Sequence, residues 1–178
     1  MSFSPFALKP FLPALSESFG LTGVISREDG VIRVCYTLTG PLDDLRLPPS
    51  VSAPERRDNL WQESCLEFFL AEHGAEEYWE VNLSPCGHWN VYHFDRYREN
   101  MRQEGNVVSL PCRASRSRHA FTLEAILDPR GMGITGKSLL AGVSAVLLSR
   151  DNVLSYWALA HPAEKPDFHL RKSFLLAL

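Results

Sequence analysis

Long apolar runs are absent from this 178-residue sequence, and so is a segment that would direct export. The longest apolar run, Leu139–Leu148, has about half of the roughly 20 residues that a membrane-spanning helix needs. At the amino terminus no basic segment precedes an apolar stretch, and Pro5, Pro10 and Pro13 would interrupt a signal helix. We therefore expect no membrane span, no membrane partner and a cytoplasmic location.

Closely spaced cysteines are also absent, because the four cysteines stand at positions 35, 65, 86 and 112. This spacing excludes a zinc ribbon and a thioredoxin-type redox motif, so we expect four free thiols. His161, Asp167 and His169 lie in a segment with prolines and lack the spacing of a helical metal site. No metal site is predicted.

An excess of basic residues is missing too. The sequence has 18 lysines and arginines and 21 acidic residues, which gives a formal charge of −3 and a pI near 6.1. A general nucleic-acid binder needs a positive surface field, so nucleic acid is not an expected partner. With 45% hydrophobic residues, a chain of this length can bury a core without disulfides or a structural metal. We expect one domain over residues 1–178.

Alternating apolar and polar residues predict about nine short strands. Residues 21–26 and Val31–Thr39 form a hairpin, because Asp29-Gly30 suits the positive φ angles of a tight turn. The other predicted strands are 64–71, 78–83, 88–94, 107–114, 119–127, 139–148 and 153–159, and an additional tail strand over 173–178 is expected to close the sheet. The first three of these form an antiparallel meander. The predicted fold class is therefore all-β, a two-sheet antiparallel β-sandwich of the jelly-roll kind.

One short surface helix is expected among these strands. Residues 95–104 are charged, lack proline and glycine, and place Tyr97 and Met101 one helical turn apart. Residues 40–59 contain four prolines and are expected to form a long ordered loop.

Residues 131–138, with the sequence GMGITGKS, match the GxxxxGK[ST] pattern of phosphate-binding loops. In such a loop the lysine holds phosphate, and a helix follows at once within a parallel sheet. Here the chain before the pattern consists of hairpins, and the 40 residues after Ser138 offer no obvious acidic strand end. We favour an ordinary loop between sandwich strands, and a P-loop-like nucleotide binder is an alternative.

Aromatic and polar residues are concentrated between positions 61 and 98. Because side chains alternate along a strand, a polar set falls on one face of the meander and an apolar set on the other. The polar set consists of Glu67, Glu80, Asn82, Asn90 and Tyr92. Trp61 stands at the loop entrance of this face, where an indole can stack on a sugar ring. Since carboxylates and amides pair with hydroxyl groups, these six residues are predicted to bind a small carbohydrate-like ligand on a concave sheet face.

The same pattern supports other interpretations. Core tryptophans behind a solvated sheet face would give the same alternation without a ligand. Glu67 and Glu80 lie on neighbouring strands and can act as acid and base or nucleophile, so a carboxylate-dependent glycoside hydrolase is one alternative. A protein-interaction module is another. No residue is assigned a catalytic role, because the sequence does not give the distance between the two carboxylates.

Four segments together resemble a known family. Residues 59–70, NLWQESCLEFFL, resemble the LW…xEhFh signature of DOMON-like domains related to the family 9 carbohydrate-binding modules. The similarity continues in order through residues 78–87 (YWEVNLSPCG), 121–129 (FTLEAILDP) and 166–170 (PDFHL), and it covers most of the chain. The resemblance implies a β-sandwich that binds a sugar or haem without catalysing a reaction.

Carried over residue by residue, the resemblance places Trp61, Glu67, Glu80 and Asn82 at motif positions. Haem would need two histidines, or one histidine with Met101 or Met132, and the sequence selects no pair. We therefore predict a non-catalytic binding domain for a small carbohydrate-like ligand. No cofactor is predicted; calcium and haem are left open, with a haem-binding domain as a further alternative.

Overall fold

The computed structural model describes residues 2–12 and 18–178 of the chain. Within them, thirteen β-strands form two antiparallel sheets. The strands are β1 (Ser2–Ala7), β2 (Lys9–Pro10), β3 (Gly20–Glu28), β4 (Val31–Thr39), β5 (Cys65–Glu72), β6 (Tyr78–Leu83), β7 (Trp89–Phe94), β8 (Arg102–Gln103), β9 (Cys112–Arg116), β10 (Ala120–Leu127), β11 (Leu139–Leu148), β12 (Leu154–Ala158) and β13 (Leu176–Ala177). Short 3-10 turns lie at Leu42–Asp44, Leu60–Gln62 and Arg171–Ser173.

Sheet A has the strand order β1-β3-β4-β10-β9, and sheet B has the order β2-β12-β11-β5-β6-β7-β8, with β13 paired to β11. The all-β, two-sheet antiparallel architecture expected from the sequence is confirmed. The four cysteines are free thiols. Across the described ranges, no helix has the length and hydrophobicity to span a bilayer.

The main core lies between the two sheets. Ile32, Val34, Tyr36 and Leu38 of β4 are buried, as the period-two alternation of a strand with one inward face requires. The buried Tyr36 hydroxyl donates to the backbone carbonyl of Glu67 on β5 at 2.7 Å, which ties the two sheets together. One face of sheet B therefore packs into this core. The opposite face of the same sheet is called the outer face of sheet B.

The hairpin between β3 and β4 forms as the sequence predicts. Glu28 pairs with Val31, so only two residues make the turn. Those residues, Asp29 and Gly30, have φ angles of 52° and 79°. Positive φ at both positions matches the turn twist to the twist of the strands, which is why an Asp-Gly pair specifies this hairpin.

The surface helix expected over residues 95–104 is not formed, and that prediction was wrong. The chain instead turns after β7 and returns as the short edge strand β8. Arg98 and Asn100 each have a φ of 54°, in the left-handed region that a right-handed helix excludes. The Asp95 amide donates to the Glu99 carbonyl at 3.2 Å, which closes the turn. The pairing of β8 with β7 at the edge of sheet B decides the local structure here, and the helical spacing of Tyr97 and Met101 does not.

Residues 131–138 connect β10 to β11, and a strand rather than a helix follows them. The Lys137 ammonium lies 2.6 Å from the Glu72 carboxylate, so it already has an anionic partner within the protein. The strand–loop–helix context that a phosphate-binding loop requires is not present.

We expect the parent protein and Lys137→Ala alike to show no saturable binding of magnesium-ATP, because the lysine has no helix N-terminus beside it. The variant should also unfold at nearly the same temperature, since partly exposed ion pairs contribute little to stability. Calorimetric titration and thermal unfolding measure both quantities. ATP binding by the parent that Lys137→Ala abolishes would contradict this assignment.

Candidate functional site

A cavity of about 560 Å³ lies on the outer face of sheet B and is called the outer-face cavity below. Strand residues form its floor, and three separate segments form its walls. The floor residues are Glu67, Glu80, Phe94, Val146, Leu154 and Tyr156, and the wall residues are Trp61, Gln62, Arg98, Met101, Pro166, Phe168 and His169. The cavity thus combines aromatic rings with two carboxyl groups, an amide, an imidazole and a guanidinium.

The two floor carboxyls come from adjacent strands. Glu67 on β5 is opposite Asn82 on β6, and Glu80 lies two residues before Asn82, so both carboxyls share one face. Both side chains are buried. Glu67 Oε2 accepts a hydrogen bond from the Ser144 hydroxyl at 3.2 Å, and Glu80 Oε1 accepts one from the Asn82 amide at 2.8 Å.

Burial raises the pKa of both floor carboxyls. For Glu67 the proximity of Glu80 raises the pKa further, and the Ser144 hydrogen bond opposes the rise only in part. For Glu80 the Asn82 hydrogen bond and the positive charge of Arg98 work against burial without cancelling it. The pair therefore holds protons to a higher pH than exposed carboxyls do, and a protonated carboxyl can donate as well as accept hydrogen bonds.

His169 stands above Glu80 with its ring held in place on one side. Its Nδ1 atom lies 2.8 Å from the Tyr78 hydroxyl, which also accepts the backbone amide of Arg98 at 3.1 Å. The Tyr78 hydroxyl hydrogen is then available to Nδ1, and this favours the tautomer with hydrogen on Nε2. Burial lowers the pKa of His169 to about 4, so the imidazole is neutral at neutral pH.

A polar clasp joins the turn after β7 to the C-terminal segment beside the cavity. Arg98 Nη2 lies 2.9 Å from Asp167 Oδ1, and the Tyr97 hydroxyl donates to Asp167 Oδ2 at 2.5 Å. The Arg98 side chain is half exposed, so the ion pair adds little stability. The ion pair instead holds Phe168 and His169 over the sheet. It also neutralises much of the Arg98 charge.

Trp61 reaches the cavity from a short 3-10 turn, Leu60–Gln62. Asn59, just before the turn, has a φ of 62°, which redirects the chain toward the sheet. The indole packs edge-on against Tyr92 with ring centroids 5.7 Å apart, and it remains only half-buried. One indole surface is thereby left beside the cavity.

The structure gathers all six predicted site residues at the outer face of sheet B, but in two groups. Trp61, Glu67 and Glu80 line the cavity. Asn82, Asn90 and Tyr92 are buried beside it and are not among its lining residues.

The residues beside the cavity have their own hydrogen-bond partners. Asn82 holds Glu80 in place. Asn90 and Tyr92 both bond the Asp58 carboxylate, at 2.9 and 2.6 Å, and so fix the loop that carries Trp61. The Tyr92 hydrogen bond is also the main reason that the pKa of Asp58 is lowered.

The cavity residues that were not predicted as site residues from the sequence include Arg98, Tyr156, Phe168 and His169. They come from the turn after β7, from β12 and from the C-terminal segment. Arg98 belongs to the aromatic and polar cluster near position 90, and Phe168 and His169 belong to the PDFHL segment that carried the family resemblance. The cluster and the PDFHL segment are the sequence features that could have pointed to these residues. Neither feature indicates a contact with β5 or β6.

A second cavity, of about 530 Å³, lies on the side of sheet A that faces away from the core. Its lining includes Phe3, Cys35, Cys112 and Glu124, and it has neither buried carboxyls nor several aromatic rings. We therefore assign the candidate site to the outer-face cavity. Among the described residues, no three His, Cys, Asp or Glu side chains are grouped closely enough to hold a metal ion.

The chain matches no protein-family model and no curated protein sequence. Its structure is similar to that of a candidate carbohydrate-binding protein from Bacteroides uniformis, with a TM-score of 0.69 at 14% identity, over 98% of this chain and 84% of the other. It is also similar to a family 9 carbohydrate-binding module from Caldicellulosiruptor kristjanssonii in complex with cellotriose, with a TM-score of 0.56 at 10% identity, over 90% and 74% of the two chains. The chain therefore shares the β-sandwich fold of these proteins.

Proposed function

We propose that this chain is a carbohydrate-binding domain that takes a small saccharide in the outer-face cavity and releases it unchanged. The observation that carries the proposal is the combination of aromatic walls with two buried carboxyls on the floor of one cavity. Its volume of about 560 Å³ lies within the range of roughly 300–1,000 Å³ that small-molecule sites occupy. Placement among the DOMON-like domains is part of the proposal and rests on residues 59–70 and 78–87.

The lining matches the two surfaces of a sugar. Trp61, Tyr156 and Phe168 offer rings for the apolar C–H faces. Glu67 and Glu80 can accept hydrogen bonds from hydroxyl groups. The fold neighbours support the class of ligand, since one is a candidate carbohydrate-binding protein and the other is a module in complex with cellotriose.

Binding without turnover is supported by the fold neighbours, which are a candidate carbohydrate-binding protein and a carbohydrate-binding module. Burial raises the pKa of both floor carboxyls, and the Glu80 charge raises that of Glu67 further, which suits hydrogen bonding and acid catalysis alike. A glycoside hydrolase using this pair is the alternative that the experiments below must exclude.

Trp61→Ala is expected to weaken saccharide binding at least about fivefold, because a stacked ring contributes roughly 1 kcal/mol or more. A glycan array identifies a ligand, and intrinsic tryptophan fluorescence or calorimetry measures the affinity of the parent and the variant. Phe3→Ala is the matched control, since Phe3 is an exposed aromatic residue on the other sheet. The control should bind like the parent.

Chromatography of the same binding mixtures tests for turnover. An unchanged saccharide after prolonged incubation supports a binding domain. Cleavage that disappears in Glu80→Gln would make the protein a hydrolase. The absence of any saccharide ligand, or equal loss of affinity in Phe3→Ala and Trp61→Ala, would contradict the proposal itself.

A further inference from the structure

We infer that the saccharide bound in the outer-face cavity carries a free, positively charged amino group. This inference rests on the proposed function and narrows the class of sugar. It follows from the balance of charge and of hydrogen-bond donors around the cavity floor.

The cavity has more acidic groups than available cationic ones. Glu67 and Glu80 form part of its floor. Among the described lining residues, Arg98 is the single lysine or arginine, and its guanidinium is bonded to Asp167 at 2.9 Å. His169 is neutral, because burial lowers its pKa to about 4. Once the floor carboxyls ionise, Arg98 is their one cationic neighbour among the described lining residues, and it is shared with Asp167, so a neutral sugar would supply no further positive charge.

Glu80 also has an acceptor atom that nothing in the described part of the chain occupies. Its Oε1 atom accepts from Asn82, whereas Oε2 lies 3.7 Å from His169 Nε2, beyond hydrogen-bond distance. The side chain is only 5% exposed and lines the cavity, so a ligand bound there can reach this acceptor. A primary ammonium offers three N–H donors and a full positive charge to such an acceptor.

The aromatic lining suits a cation as well as a sugar. Trp61 and Phe168 lie in the walls and Phe94 and Tyr156 in the floor, and the faces of aromatic rings attract cations electrostatically. Because the same rings cover C–H surfaces, an amino sugar uses both properties in one ligand.

Proton release should accompany binding. Burial holds protons on Glu67 and Glu80 in the free protein, and an arriving ammonium favours the ionised carboxylates. The charged or titratable groups that face this pair are Arg98, Tyr78, His169 and Asp167 around the cavity, with Cys65 and Tyr36 beside Glu67. Burial raises the pKa of Cys65 and of Tyr36 well above their ordinary values. Burial raises the pKa of Tyr78 to about 12, so the carboxyls are the groups expected to lose a proton near neutral pH.

The test compares glucosamine, glucose, N-acetylglucosamine and tetramethylammonium by calorimetry at about pH 6.5, where a sugar amine is largely protonated. Glucosamine is expected to bind at least about tenfold more tightly than glucose or N-acetylglucosamine, since a charge-assisted bond to a buried acceptor is among the stronger polar contacts. Repeating the titration in buffers of different ionisation enthalpy counts the protons released, and glucosamine alone should release them.

Glu80→Gln should reduce the preference for glucosamine over glucose to near unity and remove most of the proton release. Glu124→Gln, an exposed acid on β10, is the matched control and should behave like the parent. Glucose binding as tightly as glucosamine would overturn the inference and leave the proposed function standing. Tetramethylammonium binding as tightly as glucosamine would overturn it too, by showing that the sugar ring is not recognised. If none of the three sugars binds, the inference is overturned, and the proposed function is then decided separately by whether the glycan array yields any other saccharide ligand.

Discussion

Asn90→Ala is expected to lower the free energy of unfolding by about 3 kcal/mol, because the change leaves several buried polar groups without partners. The Asn90 side chain is 0% exposed. Its amide nitrogen lies 3.0 Å from the Arg57 carbonyl and 2.9 Å from both Asp58 Oδ1 and the Tyr92 hydroxyl. Its oxygen accepts from Arg56 at 2.8 Å. Chemical denaturation of the parent and the variant measures the loss.

The matched control for this change is Asn106→Ala. Asn106 is exposed, and its side chain makes a single hydrogen bond to Glu104, so its replacement should cost under about 1 kcal/mol. Because Asn90 supports the loop before Trp61, any loss of saccharide affinity in Asn90→Ala should come with the loss of stability. Full stability combined with abolished binding would contradict this role and place Asn90 in contact with the ligand.

The free energy of unfolding should fall as the pH rises above about 6.5, and Glu67→Gln should remove most of that fall. Burial raises the pKa of Glu67 and Glu80 in the folded state, so the folded protein keeps protons that the unfolded chain releases. Stability from such groups is lost as the pH rises toward the folded pKa. Each carboxyl contributes a slope of at most about 1.4 kcal/mol per pH unit.

The window above about pH 6.5 isolates the carboxyl pair. His169 has a pKa lowered to about 4, so its contribution is lost as the pH falls below the ordinary histidine value of about 6.5 and is constant above it. Near pH 8 we expect Glu67→Gln to be more stable than the parent by about 2 kcal/mol. Denaturant unfolding at several pH values measures this, with Glu124→Gln as the control. If the free energy of unfolding of the parent stays constant or rises as the pH increases above about 6.5, this would contradict the claim that Glu67 and Glu80 are protonated in the folded protein.

Local sequence signals were sufficient for much of sheet B and for the first hairpin. Asp29-Gly30 specifies its turn through backbone conformation alone. The alternation in β5 to β7 correctly separated the core-facing residues from Glu67 and Glu80, because side-chain parity is a property of the strand itself. By contrast, residues 95–104 contain helical spacing, and only the pairing of β8 with β7 explains why a turn forms there.

The cavity could be predicted only in part. The alternation of side chains along a strand tells which face of the sheet a residue lies on, but not whether it lines a cavity on that face. Asn82 and Asn90 share a face with Glu80 and yet lie beside the cavity rather than in its lining. Arg98 and His169 reach the cavity through a clasp between segments about 70 residues apart, Arg98 with Asp167. Such a contact depends on the assembled sandwich, so no local pattern around either residue announces it.

A crystal structure of the protein soaked or co-crystallised with a saccharide identified on the array is the most direct test of the proposed site. We expect the sugar ring against the Trp61 indole, with a hydroxyl or amino group within hydrogen-bond distance of Glu80 Oε2. Density for the sugar on the exposed side of sheet A, near Phe3, would contradict the assignment of the site. A complex in which Trp61 and Glu80 make no contact with the sugar would contradict it equally.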